Sequence, residues 1–423
     1  MAKTFREWNV EQHWLLPPSV MDFVPSDHIA HFIRDTVREQ LDLSEVLAPY
    51  EKEERGYPPY NPVMMTALLL YAYCQGVYSS RRIARGCEER MDFMAVTGLN
   101  RPDFRTVSDF RKRHLEALQG LFEQVLRLCQ HAGIVKLGHV SLDGTKLKAN
   151  ASKHKAMSYE RMHETEKRLR REVREWFRQA TSADEAEDRL HGSTRRGDEM
   201  PGWVADKQQR IAKIRAARAA LEAEAHAAGK AAVEPKAQRN FTDPESRIMR
   251  KSGKEYVQAY NAQAAVDSTA QVIVAQSLSN NATDVQQLAP TLQQIKHNTG
   301  RQAQEFSADA GYCSEGNLAV LARHHVDAYI ATGRQRHHQS SATGRRRPQG
   351  TRVAAMRTKL ARAGRRSRYR LRKSVVEPVF GQIKHARGFR QFMLRGLHKA
   401  QGEWSLICTV HNLLKLAKAM KNP

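Results

Sequence analysis

The stretch RKSVVEPVFGQIKHARGF, residues 372–389, carries one acid, Glu377, with Pro378 directly after it. From Arg334 to Lys373 there are fifteen Lys and Arg and no acid. A lone carboxylate in such surroundings is either a neutralising partner or a ligand for something the basic residues also serve. Two more acids stand where strands are expected, Asp143 in HVSLDGTKL (139–147) and Asp309 in EFSADAG (305–311). Taken singly, each acid has an ordinary reading. A carboxylate four residues from a lysine is commonly a surface ion pair, and an Asp-Gly pair after a strand is commonly a turn. Two acids at strand ends of one sheet and a third on a later helix can instead converge on one point. Converging carboxylates among cations suit hard, oxygen-loving divalent ions such as Mg²⁺. Two such ions about 4 Å apart activate a water or a 3′-hydroxyl for in-line attack on a phosphodiester and stabilise the leaving oxygen.

The elements that must position these acids are legible in outline. HVSLDGTKL reads as a strand, and EYVQAYNAQAAVD (255–267) and QVIVAQSLS (271–279) as a hairpin. A helix (DVQQLAPTLQQIKHN), a strand (EFSADAG), a helix (EGNLAVLARHH) and a strand (VDAYIAT) follow. Three strands and then alternating helix and strand imply an α/β fold, one mixed sheet flanked by helices. Around the third acid, Tyr369, Lys373, Glu377 and Lys384 fall within roughly an 80° sector of one continuous helix. Pro378 removes a backbone hydrogen bond from that helix and tends to kink it. Lys146 and Lys148, alternating with Leu147 after Asp143, are candidates for phosphate contact.

Residues 1–136 read as an all-helical N-terminal domain. SDHIAHFIRDTVREQL has Ser26 in cap position, NPVMMTALLLYAYCQG has Asn61, Pro62 and a stop at Gly76, and RTVSDFRKRHLEALQGLFEQVLRLCQ reads as one long helix. A basic helix bearing Arg81, Arg82 and Arg85 follows the Gly76 turn, a pattern resembling a helix-turn-helix. Residues 152–240 are charged, Ala-rich and helical, an insertion after the first strand expected to form an antiparallel hairpin with a short Ser182-capped helix between its arms. Residues 137–151 and 241–423 then form the sheet domain, with 334–372, including Arg345, Arg346 and Arg347, as a basic loop inside it.

The formal net charge of +24 points to a polyanionic partner, nucleic acid first. The longest apolar run, VMMTALLLYAYC, falls short of the roughly twenty residues that cross a bilayer. The N-terminus lacks a signal-peptide pattern, so a cytoplasmic location without membrane contact is expected. Five scattered cysteines without C-x-x-C spacing support neither a disulfide framework nor a zinc site.

VSLDGTKLKANAS, FSADAGYCSEGNL and YRLRKSVVEPVFGQIKHARGFRQFMLRGLHKAQGEW resemble the three acidic blocks of bacterial insertion-sequence DDE transposases. The resemblance implies a ribonuclease H-like catalytic fold and a metal-binding catalytic trio of Asp143, Asp309 and Glu377. It also implies a Tyr, Arg, Glu, Lys signature, read here as Tyr369, Lys373, Glu377 and Lys384, with Lys373 where Arg is common and Tyr369 one residue further from the Glu than usual. Two Mg²⁺ ions, replaceable by Mn²⁺, terminal-repeat and target DNA, and a homodimer on DNA are implied with it. A metal-dependent nuclease of the same fold and an inactive DNA-binding remnant are the rival readings.

Overall fold

The computed structural model describes residues 19–51, 58–191, 202–250, 255–333, 350–363 and 367–421. At its centre is a six-stranded sheet. It is built from β1 (His139–Lys148), β4 (Arg247–Arg250), β5 (Tyr256–Asp267), β6 (Ile273–Ser279), β7 (Glu305–Ala308) and β8 (Asp327–Ile330). The strand order is β4-β5-β1-β7-β8, with β6 paired to β5. β1 runs antiparallel to β5 and parallel to β7, β5 antiparallel to β6, and β7 parallel to β8. An antiparallel triplet joined to two parallel strands is the ribonuclease H-like arrangement. Strand β5 is buried almost throughout and rich in alanine, which lets helices close over both faces of the sheet. The short strand β4 on its edge is absent from the sequence reading.

Before β1 come α1 (Ile29–Glu39), α2 (Ser44–Leu47), α3 (Pro62–Cys74), α4 (Ser80–Glu89), α5 (Met91–Thr97), α6 (Phe104–Arg113) and α7 (Leu115–His131). The Asn61 side chain accepts from the amides of Val63 and Met64 and so caps α3, whose residues from Met65 to Cys74 are all buried. Two expectations change here. The cap of α1 is His28, whose ring nitrogen accepts from Ala30 N, and not Ser26. The long helix breaks at His114, which leaves helical geometry and turns its buried ring onto the Tyr50 hydroxyl at 2.9 Å.

The insertion consists of α8 (Tyr159–His191) and α9 (Gly202–Ala227), closed at its base by β2 (Ala156–Ser158) paired antiparallel with β3 (Gln238–Asn240). Met162, Leu169 and Val173 pack on Ile211, Ile214 and Leu221 as a small core of their own. The separate short helix expected at Ser182 is instead a continuation of α8. Helices α10 (Leu288–Thr299), α11 (Glu315–Arg323), α12 (Thr351–Ala363), α13 (Arg372–Gly381) and α14 (Leu397–Lys421) complete the chain. Of the expected basic loop 334–372, the part around α12 is helical, with Met356 and Leu360 buried. Arg345, Arg346 and Arg347 lie outside the described residues.

Helix α14 packs on β6, α7 and α3 and so welds the N-terminal helices to the sheet. Inside that joint, Glu403 accepts from the amides of Met393 and Leu394 at 2.8 and 3.0 Å. The Tyr73 hydroxyl donates to Glu403 at 3.4 Å and accepts from Arg111 at 3.0 Å. Among the described residues no helix is long and apolar enough to cross a membrane, and all five cysteines are free.

Candidate active site

The register of the two central parallel strands brings the first two acids together. Leu142 of β1 pairs with Ala308, the last residue of β7, so Asp143 and Asp309 follow side by side. Asp143 lies within β1, where pairing with β7 stops and pairing with β5 continues through Asp143↔Ala264. The Asp-Gly pair is therefore strand, not turn. Gly144 leaves room there for two polar side chains, since a Cβ on it would meet the Gln263 side-chain amide and lie 2.9 Å from Asp284 Oδ1. Asp309 ends its strand by capping a 3₁₀ turn, accepting from Gly311 N at 2.8 Å.

Glu377 approaches from α13. The helix survives Pro378 because the carbonyl that proline leaves without a donor, that of Ser374, accepts from Gln271 Nε2 at 2.9 Å. Gln271 is itself held, with its backbone oxygen bonded to the His411 ring at 2.8 Å and its side-chain oxygen to Lys415 at 2.8 Å.

Arg372 joins the acids. Its Nη1 donates to Asp143 Oδ2 at 2.7 Å and its Nη2 to Glu377 Oε1 at 3.1 Å. Its guanidinium lies 5.9 Å from the centroid of the half-buried Tyr369 ring, and its Nε is buried without a partner. Burial pushes the Asp143 carboxyl up to about 6; Arg372 opposes this, and the charges of Asp309 and Glu377 reinforce it.

The basic candidates separate. Tyr369 stands at the site under Arg372, and Lys384 donates to the Thr145 hydroxyl of β1. Lys373 points to solvent, and Arg372 takes the place by the acids that the sequence reading gave it. Arg368–Leu371 is a 3₁₀ turn and Gln382–Ala386 a π turn, so Tyr369 and Lys384 do not share one continuous α-helix with Glu377 and the assumed sector does not hold for them, while Lys373 stays one turn before Glu377 within α13. Lys146 pairs with Asp284 at 3.3 Å and Lys148 with Glu255 at 3.8 Å. On α4, Arg85 pairs with Glu89 at 2.7 Å, Arg81 lies 5.1 Å over the Phe104 ring, and Arg82 is exposed. The turn before α4 abuts the segment that follows Glu377. Gly76, at φ +70°, has the Arg387 carbonyl oxygen 2.5 Å from where a Cβ would be, and the Tyr78 hydroxyl donates to that same oxygen.

Asp284, just after β6, is absent from the sequence reading. Its Oδ1 accepts from Asn261 at 2.6 Å, Gln263 at 2.9 Å and Lys146 at 3.3 Å. A Cβ on Gly311 would lie 3.0 Å from Asp309 Oδ1 and 3.3 Å from Asp284 Oδ2, so both carboxylates border one point. The buried Tyr312 hydroxyl bonds to Gln263, tying that network to the Asp309 turn. The available signal was position: β6 runs parallel to β1, and an acid beyond its end lies at the same edge of the sheet.

Two sequence families match the chain, one described as Transposase DDE domain over residues 231–413 and one as Transposase domain (DUF772) over residues 18–113. The chain belongs to the insertion-sequence DDE transposases. Comparison with curated proteins and with solved structures gives no match. The DDE match takes in Asp309 and Glu377 and begins after α9, in the last residues of the insertion, while Asp143 lies upstream of it. This family of DNA-cleaving enzymes uses divalent metal ions. Among the described residues no group of three His, Cys, Asp or Glu stands in metal-holding geometry. The donor chemistry nevertheless fits such an ion: three carboxylates offer hard oxygens, and the Arg372 guanidinium already supplies positive charge between two of them.

Proposed function

We propose that this transposase binds the terminal repeats of its own element, cleaves DNA there with Mg²⁺ and joins the freed 3′-hydroxyls to target DNA, with Asp143, Asp309 and Glu377 as catalytic residues and metal ligands. The observation that carries this reading is the pairing of Leu142 with Ala308, which sets Asp143 beside Asp309, together with the Arg372 bridge from Asp143 to Glu377. The chemistry that bound ions supply is activation of the attacking oxygen and stabilisation of the leaving oxygen.

The chain's own residues do the rest. Asp143 and Asp309 are held by strand register, and Glu377 by a helix pinned through Gln271. Arg372 stands in for the ions' charge between two of the acids in the free protein and would be released to a DNA phosphate were an ion held there. Tyr369, beneath Arg372, and Lys384, beside β1, line the approach for the scissile strand; Lys146 and Lys148 extend it along β1. Arg81, Arg82 and Arg85 on α4, with Arg345, Arg346 and Arg347, are assigned to flanking DNA. Residues 1–136 are taken as the DNA-binding domain, 137–151 with 241–423 as the catalytic domain, and the working form as a homodimer on two element ends, in the cytoplasm.

The test is incubation of the protein with labelled DNA carrying the ends of its element, in Mg²⁺ or EDTA, beside Asp309→Ala. Metal-dependent nicks at the ends, with joined products, both lost in the variant, are expected. Cutting without joined products would make the enzyme a nuclease. Binding without cutting in Mg²⁺ or Mn²⁺ would make it a remnant.

A further inference from the structure

We infer that the base of the helical insertion holds a second DNA site, a pocket for the sugar–phosphate backbone of the duplex beside the cleavage point; this rests on the transposase reading. The pocket has a volume of about 460 Å³, and its polar lining is basic: His154, Lys155, Arg161, Arg210 and Lys213, with no acid. Met157, Ile214 and Phe241 form its apolar part.

Many cations elsewhere on the insertion have acidic partners: Glu166 takes Arg170, Arg215 and Arg218, Glu172 takes Lys207, and Glu224 takes Arg239 and Arg247. Lys155, Arg161, Arg210 and Lys213 have none among the described residues, and all four are exposed. A concave group of four unneutralised cations repels itself unless an anion is supplied from outside, and a nearly regular polyanion such as duplex DNA supplies several phosphates at once.

Position agrees with that occupant. Strand β1 carries Asp143, then Lys146 and Lys148, and leads within a few residues to the segment 154–157 that lines the pocket. From Asp143 to Lys148 the strand covers roughly 17 Å at about 3.4 Å per residue. The pocket therefore lies along the chain just beyond the end of the strand that carries Asp143, Lys146 and Lys148. Backbone contact of this kind fixes where DNA lies and carries no sequence preference.

The experiment measures binding of the full chain to element-end duplex over a salt series by fluorescence anisotropy, with nicking assayed alongside. Arg161→Glu/Lys213→Glu is compared with wild type and with the charge-keeping Arg161→Lys/Lys213→Arg. We expect the acidic pair to lose at least about tenfold in affinity and to flatten the log–log salt slope by about 2, and the charge-keeping pair to behave as wild type. Should the acidic pair fail to fold, Arg161→Gln/Lys213→Gln carries the same expectation. Wild-type affinity and slope in a folded acidic or neutral pair, with nicking intact, would overturn this site and leave the transposase reading standing. A wild-type chain that neither binds nor nicks the DNA would overturn both.

Discussion

Arg372 and Asp143 form an ion pair at 2.7 Å in which both side chains are largely out of water, and the same guanidinium reaches Glu377 at 3.1 Å. Asp143 is thereby joined to Glu377 by one cation belonging to the chain itself, Arg372, 229 residues further along the sequence than Asp143. Removing it leaves the largely buried Asp143 carboxylate without its cation, with the more exposed Glu377 carboxylate beside it. Arg372→Ala is expected to lower stability in EDTA by about 3 kcal/mol at neutral pH, with Mg²⁺ restoring more of it than Mg²⁺ adds to wild type. Thermal unfolding with and without Mg²⁺ checks this. An equal response in the two proteins would contradict the stand-in role.

Asp284 holds Lys146, Asn261 and Gln263 from one oxygen and borders Asp309 with the other. It acts through these neighbours as a positioning residue. Asp284→Ala is expected to slow cleavage by about 10- to 100-fold and to raise the Mg²⁺ concentration needed for half-maximal rate, with duplex binding retained. A metal titration of the nicking rate measures both, and an unchanged titration would remove Asp284 from the site.

Glu403 is wholly buried, and burial pushes its carboxyl up, against the pull of Arg111 and the Met393 and Leu394 amides. Glu403→Ala strands the buried Arg111 and both amides, and should cost about 3–5 kcal/mol. Glu403→Gln keeps an acceptor and should cost less. Urea unfolding of the two variants gives the order, and the reverse order would contradict it.

His411 is buried between the Gln271 carbonyl and Arg387, with Lys415 nearby, and burial pulls its ring down to about 3, helped by the Arg387 charge. A folded-state value below the unfolded one near 6.5 means that the unfolded chain binds the proton better. This contribution is therefore complete above pH 6.5 and is lost as pH falls toward 3. Between pH 8 and pH 5 the loss is about 2 kcal/mol. Urea unfolding at both pH values should show that difference in wild type and a smaller one in His411→Gln; equal differences would assign the acid sensitivity elsewhere.

The sheet was legible because its strands carry their burial in their residues. HVSLDGTKL opens on four buried residues, and the run from Tyr256 to Asp267 is buried almost throughout and carries apolar and aromatic side chains beside its alanines, as a strand covered on both faces does. The choice between Arg372 and Lys373 was not legible. It depends on where α13 lies against β1, since the residue chosen is the one whose side chain reaches both Asp143 and Glu377, and neighbouring cations in a sequence do not show that. Asp284 and Glu403 were missed for a different reason. An acid in NNATDVQQ or QGEW looks solvated, and only the tertiary partners, Lys146 in one case and Arg111 in the other, reveal that it is not. The helical core of α12 was hidden by its arginines, since only Met356 and Leu360 mark the buried side.

The most direct test of the shared carboxylate site is Glu377→Gln on element-end DNA in Mg²⁺, with duplex binding measured on the same preparation. The change keeps the size of the side chain and removes its negative charge. Full duplex binding with cleavage and joining abolished is the predicted result. Mg²⁺-dependent cleavage at the wild-type rate would show that Glu377 is no part of the active site.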